Sequence, residues 1–473
     1  MSSSKTVALF TLALASFKGA LAALRLNSPN NIAVYWGQNS FGQSTGPYVQ
    51  QRLSHYCRSK PDYTLSKEAA ADDTTHVVYQ ISFLTRINGA GGVPEVNFAN
   101  AGDNCTAFPG TQLLDCPQIA EDIKECQSLG RTILLSIGGA TYNEGGFTNE
   151  AAATAGAKMI WETFGPVSNP SVKRPFGDAV VDGFDFDFEA TVNNMPAFAN
   201  QLRSYYASDT SKKYYTTAAP QCPYPDAADG PMLDGAVYFD AIWIQFYNNY
   251  CGLQAFVPGS AAQNNFNFDV WDKWARETSL NKNAKVFLGV PGNQGAAGTG
   301  YQPISTVSEI IKYVKQFSSF GGVMVWDASQ VYANTGFLSG LRSALGGGGT
   351  TPAPTTSPTT TPTTSLTTTS KTTSPTPTTK STSTSTTLTT TTKSSTASPT
   401  SSKPTASPTS TVCPIAGQTC PTSGAFSCNG SQFGICDNGR WVMQQCPAGL
   451  VCAQSGSGVY CDYPGSTGVA PCS

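Results

Sequence analysis

Charge is scarce in this sequence. Asp, Glu, Lys and Arg make up 12% of its 473 residues, 28 of them basic and 30 acidic, for a formal net charge of -2. A chain so evenly balanced has no basic footprint for nucleic acid, and no nucleic-acid partner is expected. Histidine is nearly missing: only His55 and His76 occur. With so few imidazoles, and with Cys413 and Cys420 too far apart for a metal knuckle, neither a zinc site nor any cofactor is expected. Beyond the first 22 residues no apolar run approaches the roughly 20 residues needed to cross a bilayer. The last residues (YPGSTGVAPCS) lack the apolar tail of a lipid-anchor signal, so stable membrane association is not expected. No G-x-G-x-x-G follows the first strand-like run, which removes the usual reason to read a dinucleotide fold.

What is present divides the chain. Lys5, the short apolar run 7–17 and the small-x-small triplet Ala20-Leu21-Ala22 read as a secretory signal, with a mature chain from about Ala23. A membrane anchor is the competing reading, and the run is short for one. Fourteen cysteines fit an oxidising, extracellular destination. Six (Cys57, Cys105, Cys116, Cys126, Cys222, Cys251) fall in the first part, and eight crowd the last sixty or so residues. Both sets are even, as closed pairing requires. Between them, residues 346–411 are almost entirely Thr, Ser and Pro with four isolated lysines. Such a segment has nothing to bury against the entropy of ordering and reads as a linker, with a reach on the order of 200 Å at about 3.1 Å per residue. The expected organisation is a signal at 1–22, a catalytic domain at 23–345, the linker at 346–411 and a cysteine-rich module at 412–473.

In the first domain, strand-like runs at 32–35, 76–83, 132–137, 183–188, 214–218, 241–246, 286–290 and 322–325 alternate with amphipathic stretches. Eight strand–helix units in a segment of this size predict an α/β fold, a (β/α)8 TIM barrel, with a doubly wound sheet as the competitor. The fourth run carries the chemistry: Gly183-Phe184-Asp185-Phe186-Asp187-Phe188-Glu189. Side chains alternate along a strand, so Asp185, Asp187 and Glu189 share one face and three phenylalanines the other. Clustered carboxylates repel one another and, when buried, raise the pKa of at least one of them, which suits acid/base work. Glu189 closes the run, where barrel active sites sit.

Asp182, Asp185, Asp187 and Glu189 resemble the DxxDxDxE signature of family 18 glycoside hydrolases. The segments IAVYWGQN (32–39), Ser136-Ile137-Gly138-Gly139, AAPQCP (218–223), QFYNN (245–249) and VMVW (323–326) are similar to those of plant and fungal class III chitinases, in the same order and at strand ends. The resemblance implies retaining, substrate-assisted hydrolysis of chitin. By it, Glu189 is the acid that protonates the glycosidic oxygen, Asp187 holds the acetamido group, Asp185 shares a proton with Asp187, and Tyr247 bonds the acetamido oxygen. Trp326 would floor the cleft, lined further by Gln245, Tyr35, Gln38, Phe83 and Gly138. The resemblance also implies disulfides Cys57–Cys126, Cys105–Cys116 and Cys222–Cys251, and cis peptides at Ser82–Phe83 and Trp326–Asp327.

The C-terminal segments around Cys436-Asp437-Asn438-Gly439-Arg440-Trp441 and Cys446-Pro447-Ala448-Gly449 resemble the family 19 chitin-binding module. There Trp441 is either a sugar-stacking platform or the small core of a disulfide-stapled unit. Asn104 and Asn429 stand in glycosylation acceptor patterns. The function expected is a secreted, monomeric endochitinase acting on chitin and its oligosaccharides, with cell-wall association left open. A lectin or inhibitor on the same fold, and an endoglycosidase of N-linked glycans, are the competitors; the first typically loses the acid that Glu189 supplies.

Overall fold

A computed structural model of the chain describes residues 24–58, 76–346, 413–420, 425–437, 440–446, 451–455 and 458–462. The expected signal at 1–22 and the linker beyond Gly346 lie outside the described residues, as does Cys472.

Eight parallel strands form the first domain: β1 (Asn31–Trp36), β2 (His76–Arg86), β3 (Thr132–Gly138), β4 (Gly183–Asp187), β5 (Tyr215–Ala218), β6 (Ala241–Gln245), β7 (Lys285–Pro291) and β8 (Phe320–Trp326). Each pairs with the next, and β8 returns to β1 with Val34 beside Val325, so the sheet closes on itself as a (β/α)8 barrel. The helices are α1 (Leu53–Arg58), α2 (Pro117–Ser128), α3 (Glu150–Phe164), α4 (Met195–Ser208), α5 (Gly230–Leu233), α6 (Phe268–Lys273), α7 (Ile304–Val314), α8 (Ala328–Ala333) and α9 (Phe337–Leu345). Their starts are written locally. Proline stands in the first turn of α2, α4 and α5, where its missing N–H costs nothing. Asn149 caps α3 through Ala152 N, and Asp327 caps α8 through Gln330 N.

Strand alternation sorts the apolar residues into two layers. Phe184, Phe186 and Phe188 of the β4 run point outward; the Phe186 ring meets Phe198 of α4 at 6.1 Å and the Phe188 ring meets Tyr142 at 5.0 Å. Burying each such ring stabilises the fold by about 1.5–3 kcal/mol. The inward layer holds Tyr35, Leu134, Tyr215, Trp243, Phe287 and Met324, with Trp243 edge-on to Phe287 at 4.4 Å. Asp182, one residue before β4, is a latch at the opposite end of the barrel from the strand C-termini. It accepts from Ile133 N (2.7 Å) and Gln127 Nε2 (3.0 Å) and pairs with Lys212 Nζ (2.7 Å). The ladder of β4 stops at Asp187 rather than Phe188, so Glu189 stands on the first residues of the loop at the barrel mouth.

Disulfides join Cys57 to Cys126, Cys105 to Cys116 and Cys222 to Cys251, with Cα separations of 5.4, 4.6 and 5.9 Å. Ser82–Phe83 and Trp326–Asp327 are cis, as is Tyr224–Pro225. Among the described residues no helix is long and apolar enough to cross a membrane.

The C-terminal module is a three-stranded antiparallel sheet, β9 (Phe426–Asn429), β10 (Gln432–Asp437) and β11 (Arg440–Gln445), with a hairpin of β12 (Val451–Ser455) and β13 (Gly458–Asp462). Bridges Cys420–Cys436 and Cys428–Cys452 staple it, and Cys413 and Cys446 are also disulfide-bonded. So small a unit has little apolar core, and Cys428, Cys446 and Cys452 supply much of it. Trp441 is only 4% exposed. Its ring lies over Gly434, where any Cβ would come within 2.9 Å of it. Of the two alternatives for Trp441, sugar platform or small core, this burial fits the second.

Candidate active site

The strand C-termini converge on a row of acids, and the neighbouring strands treat each acid differently. Asp185 is fully buried at the level where Ser136 of β3 and Thr217 of β5 are its register partners. Both hydroxyls turn toward it. One carboxyl oxygen accepts from Tyr35 Oη and Ser136 Oγ, each at 2.7 Å; the other accepts from Thr217 Oγ1 at 2.6 Å and Trp243 Nε1 at 2.7 Å. Four donors fill the acceptor capacity of a carboxylate. Burial pushes the Asp185 carboxyl up, and these bonds pull it back. Among the described residues no hydrogen bond joins Asp185 to Asp187, so it acts on Asp187 through its charge.

Among the described residues Asp187 has one side-chain donor to its carboxyl, Gln245 Nε2 at 2.9 Å, whose second hydrogen goes to Ala219 O at 2.8 Å. Burial first, then the charges of Glu189 and Asp185, hold the Asp187 carboxyl well above the usual range. Glu189 accepts no hydrogen bond from the described residues. Burial and the Asp226 carboxylate push it up to about 7. A proton donor whose pKa lies near the working pH can give its proton and later take one back. Tyr247 stands beside both acids, and burial with the charges of Asp187 and Glu189 keeps its phenol protonated.

Aromatics line the mouth. Trp326, half-buried at the end of β8, stacks on Phe83 (6.0 Å, 21°) and meets Tyr35 at 5.5 Å. Gly138 is required by the backbone. Its φ is +125°, and a Cβ there would lie 2.2 Å from Asp187 O, so only glycine lets β3 close against the backbone that carries the acid. Gly139 then donates to Asp187 O at 2.7 Å. Gln38 is likewise a brace. Its Nε2 is engaged by Gly37 O, Ser82 O and Asn97 O, tying the end of β1 to the segment that presents Phe83.

Sequence reading did not single out Thr217, Trp243, Asp226 or Asp229. Thr217 and Trp243 were legible in principle, because both are inward-facing positions of their own strands. Asp226 and Asp229 lie in the loop after β5, where no period marks a facing direction.

The protein-family model described as "Glycosyl hydrolases family 18" matches residues 31–299, and "Carbohydrate binding domain (family 19)" matches residues 389–457. The chain is 50% identical to a class III chitinase of Arthroderma benhamiae over 350 residues, 74% of this chain and 95% of that one. It is also 50% identical to endochitinase 33 of Trichoderma harzianum over 334 residues, 70% and 97% of the two chains. Among solved structures, the chitinase ICChI of Ipomoea carnea superposes with a TM-score of 0.51 at 26% identity, covering 66% of this chain and 99% of that one.

Proposed function

The chain belongs to family 18 of the glycosyl hydrolases, and on that premise we propose that it is a secreted endochitinase that cleaves β-1,4 bonds between N-acetylglucosamine units with retention. The observation that carries this reading is the unequal treatment of the three acids. Among the described residues, Asp185 is saturated by four donors, Asp187 is oriented by Gln245, and Glu189 is the one of the three without a hydrogen bond, its carboxyl raised to about 7.

The chemistry follows from that division. Glu189 gives its proton to the glycosidic oxygen as the C1–O bond breaks, and the electron pair leaves with the departing sugar. The substrate's own acetamido oxygen attacks C1 from the opposite face and closes an oxazolinium ring. The Asp187 carboxyl accepts from the acetamido N–H and orients it, the carboxylate left on Glu189 balances the positive charge, and the Tyr247 hydroxyl donates to the acetamido oxygen. The Glu189 carboxylate then takes a proton from water, whose oxygen opens the ring at C1 on the face the leaving group left. Two inversions give retention, one of the substrate-assisted exceptions to the two-carboxylate scheme. The Trp326 ring is the floor under the reacting sugar, backed by Phe83 and Tyr35. The cysteine content and its three barrel disulfides support action outside the cell.

Glu189→Gln tests the acid. The amide keeps the shape and removes the transferable proton. Hydrolysis of a soluble chitin oligomer should fall by on the order of 10² to 10⁴, with oligomer binding retained. A variant that turns over near the parent rate would sink the assignment.

A further inference from the structure

Two triplets fit the acceptor pattern for N-linked sugar, Asn104-Cys105-Thr106 and Asn429-Gly430-Ser431. A third, Asn169-Pro170-Ser171, has proline at the middle position, which the pattern excludes. The hydrolytic chemistry uses none of them. The fold treats the two that fit in opposite ways.

Asn104 closes the short 3-10 turn Ala99–Asn104, whose end is fixed by Cys105 N on Gly102 O at 2.9 Å. Cys105 is extended, with φ -102° and ψ 158°. An extended residue sends its neighbours to one side of the chain and its own side chain to the other. Cys105 accordingly turns inward to its bridge with Cys116, while Asn104 and Thr106 are both exposed. The carboxamide that would receive a sugar and the hydroxyl that the pattern requires therefore share the solvent side. Among the described residues the Asn104 amide makes one bond, Nδ2 to Gln118 Oε1 at 3.3 Å. An amide has two N–H groups and a glycosylated one keeps a single N–H, so this contact need not be lost.

Asn429 ends β9 and faces Gln432 across a tight turn. It is half-buried, and its Nδ2 is turned onto Pro414 O at 3.0 Å. Both carbonyls that follow are taken: Gly430 O accepts from Cys452 N (2.9 Å) and Ser431 O from Cys446 N (2.8 Å). Bridges Cys428–Cys452 and Cys420–Cys436 hold these segments together. A glycan is bulky and needs solvent around it. On Asn429 it would have to displace the Pro414 segment from a unit with little other core.

We propose that Asn104 is a site of N-linked glycosylation in the folded, secreted chain and that Asn429 is not. The proposal rests on the reading of the chain as secreted, because the sugar donor, a lipid-pyrophosphate-linked oligosaccharide, meets a chain on the secretory route. In the transfer the anomeric C–O bond to the pyrophosphate breaks and a C–N bond forms at Asn104 Nδ2. The displaced amide proton leaves with the lipid pyrophosphate.

The test uses the full chain recovered from the culture medium of a eukaryotic host. Peptide N-glycosidase in water enriched in oxygen-18 converts each glycosylated Asn to an Asp carrying the heavy oxygen, which mass spectrometry of the peptides locates. A parallel incubation without the enzyme subtracts spontaneous deamidation, to which an Asn-Gly pair such as Asn429-Gly430 is prone. Enzyme-dependent label is expected at position 104 and not at 429. Thr106→Ala keeps Asn104 and its Gln118 contact but removes the acceptor hydroxyl; it should lose the label and the mass of one glycan, and Thr106→Ser should regain both. An unlabelled Asn104 in the secreted parent overturns the proposal. So does label at Asn429, or label at Asn104 that survives Thr106→Ala. The parent's labelling decides alone if the variants do not reach the medium. A parent chain found only inside the cell, with its cysteines reduced, sinks the secretion reading and the proposal with it, so that failure is told apart from an unglycosylated secreted chain.

Discussion

At the scale of single residues, the site depends on how many donors each carboxyl meets. Asp185 is the centre of the arrangement without touching the reacting bond, because Tyr35, Ser136, Thr217 and Trp243 all spend their buried donors on it. Asp185→Ala strands four donors in the barrel interior. At about 1–3 kcal/mol for each unsatisfied group, partly relieved by water or repacking, the variant should lose at least about 3 kcal/mol of stability in urea unfolding. A loss below about 1 kcal/mol would show that the four bonds are dispensable. The identities of Asp185, Asp187 and Glu189 as one face were legible from alternation alone. That Asp185 would be saturated and Glu189 left bare was not, because the four donors come from residues 32 to 150 positions away.

At the scale of elements, the acid is placed by backbone contact between neighbouring strands. β3 can approach β4 only because Gly138 has no Cβ; an added one would lie 2.2 Å from Asp187 O and 2.7 Å from its carbonyl carbon. Gly138→Ala must therefore push the Asp187 backbone aside. We expect a loss of about 2–4 kcal/mol in stability and on the order of 10² in kcat, the cost of a catalytic group displaced by about 1 Å. Gly145→Ala is the matched control: its φ is also positive at +71°, but its Cβ would meet open space, so it should cost about 1–2 kcal/mol and leave kcat nearly unchanged. Equal kcat losses in the two would remove the argument from strand approach. All eight strand positions were readable from period and apolar content. The early end of β4 was not, since it depends on where β3 and β5 stop offering partners.

At the scale of the whole molecule, the match to a family 19 carbohydrate-binding domain puts a second polysaccharide-directed unit on the same chain as the hydrolase. Between them, composition alone argues for a tether in residues 346–411. Cleaving the chain there should leave turnover of soluble oligomers nearly unchanged and lower it on insoluble chitin, because the effective concentration supplied by the second unit is lost. Equal rates on insoluble chitin would leave the module without a targeting role. The burial of Trp441 bears on the design of such tests. A Trp441→Ala variant would probe the module's folding rather than its sugar contacts, since the ring is buried.

The sequence by itself determined the barrel, the row of acids and their facing direction, because strand period and chain order are local properties that need no partner to be read. Only the tertiary structure decided how many donors each acid meets and which of them, among the described residues, meets none. Those outcomes depend on donors that reach across the barrel. The same holds for Gly138, Gln38 and Trp441. Each makes packing or bracing contacts with neighbours the linear chain does not reveal.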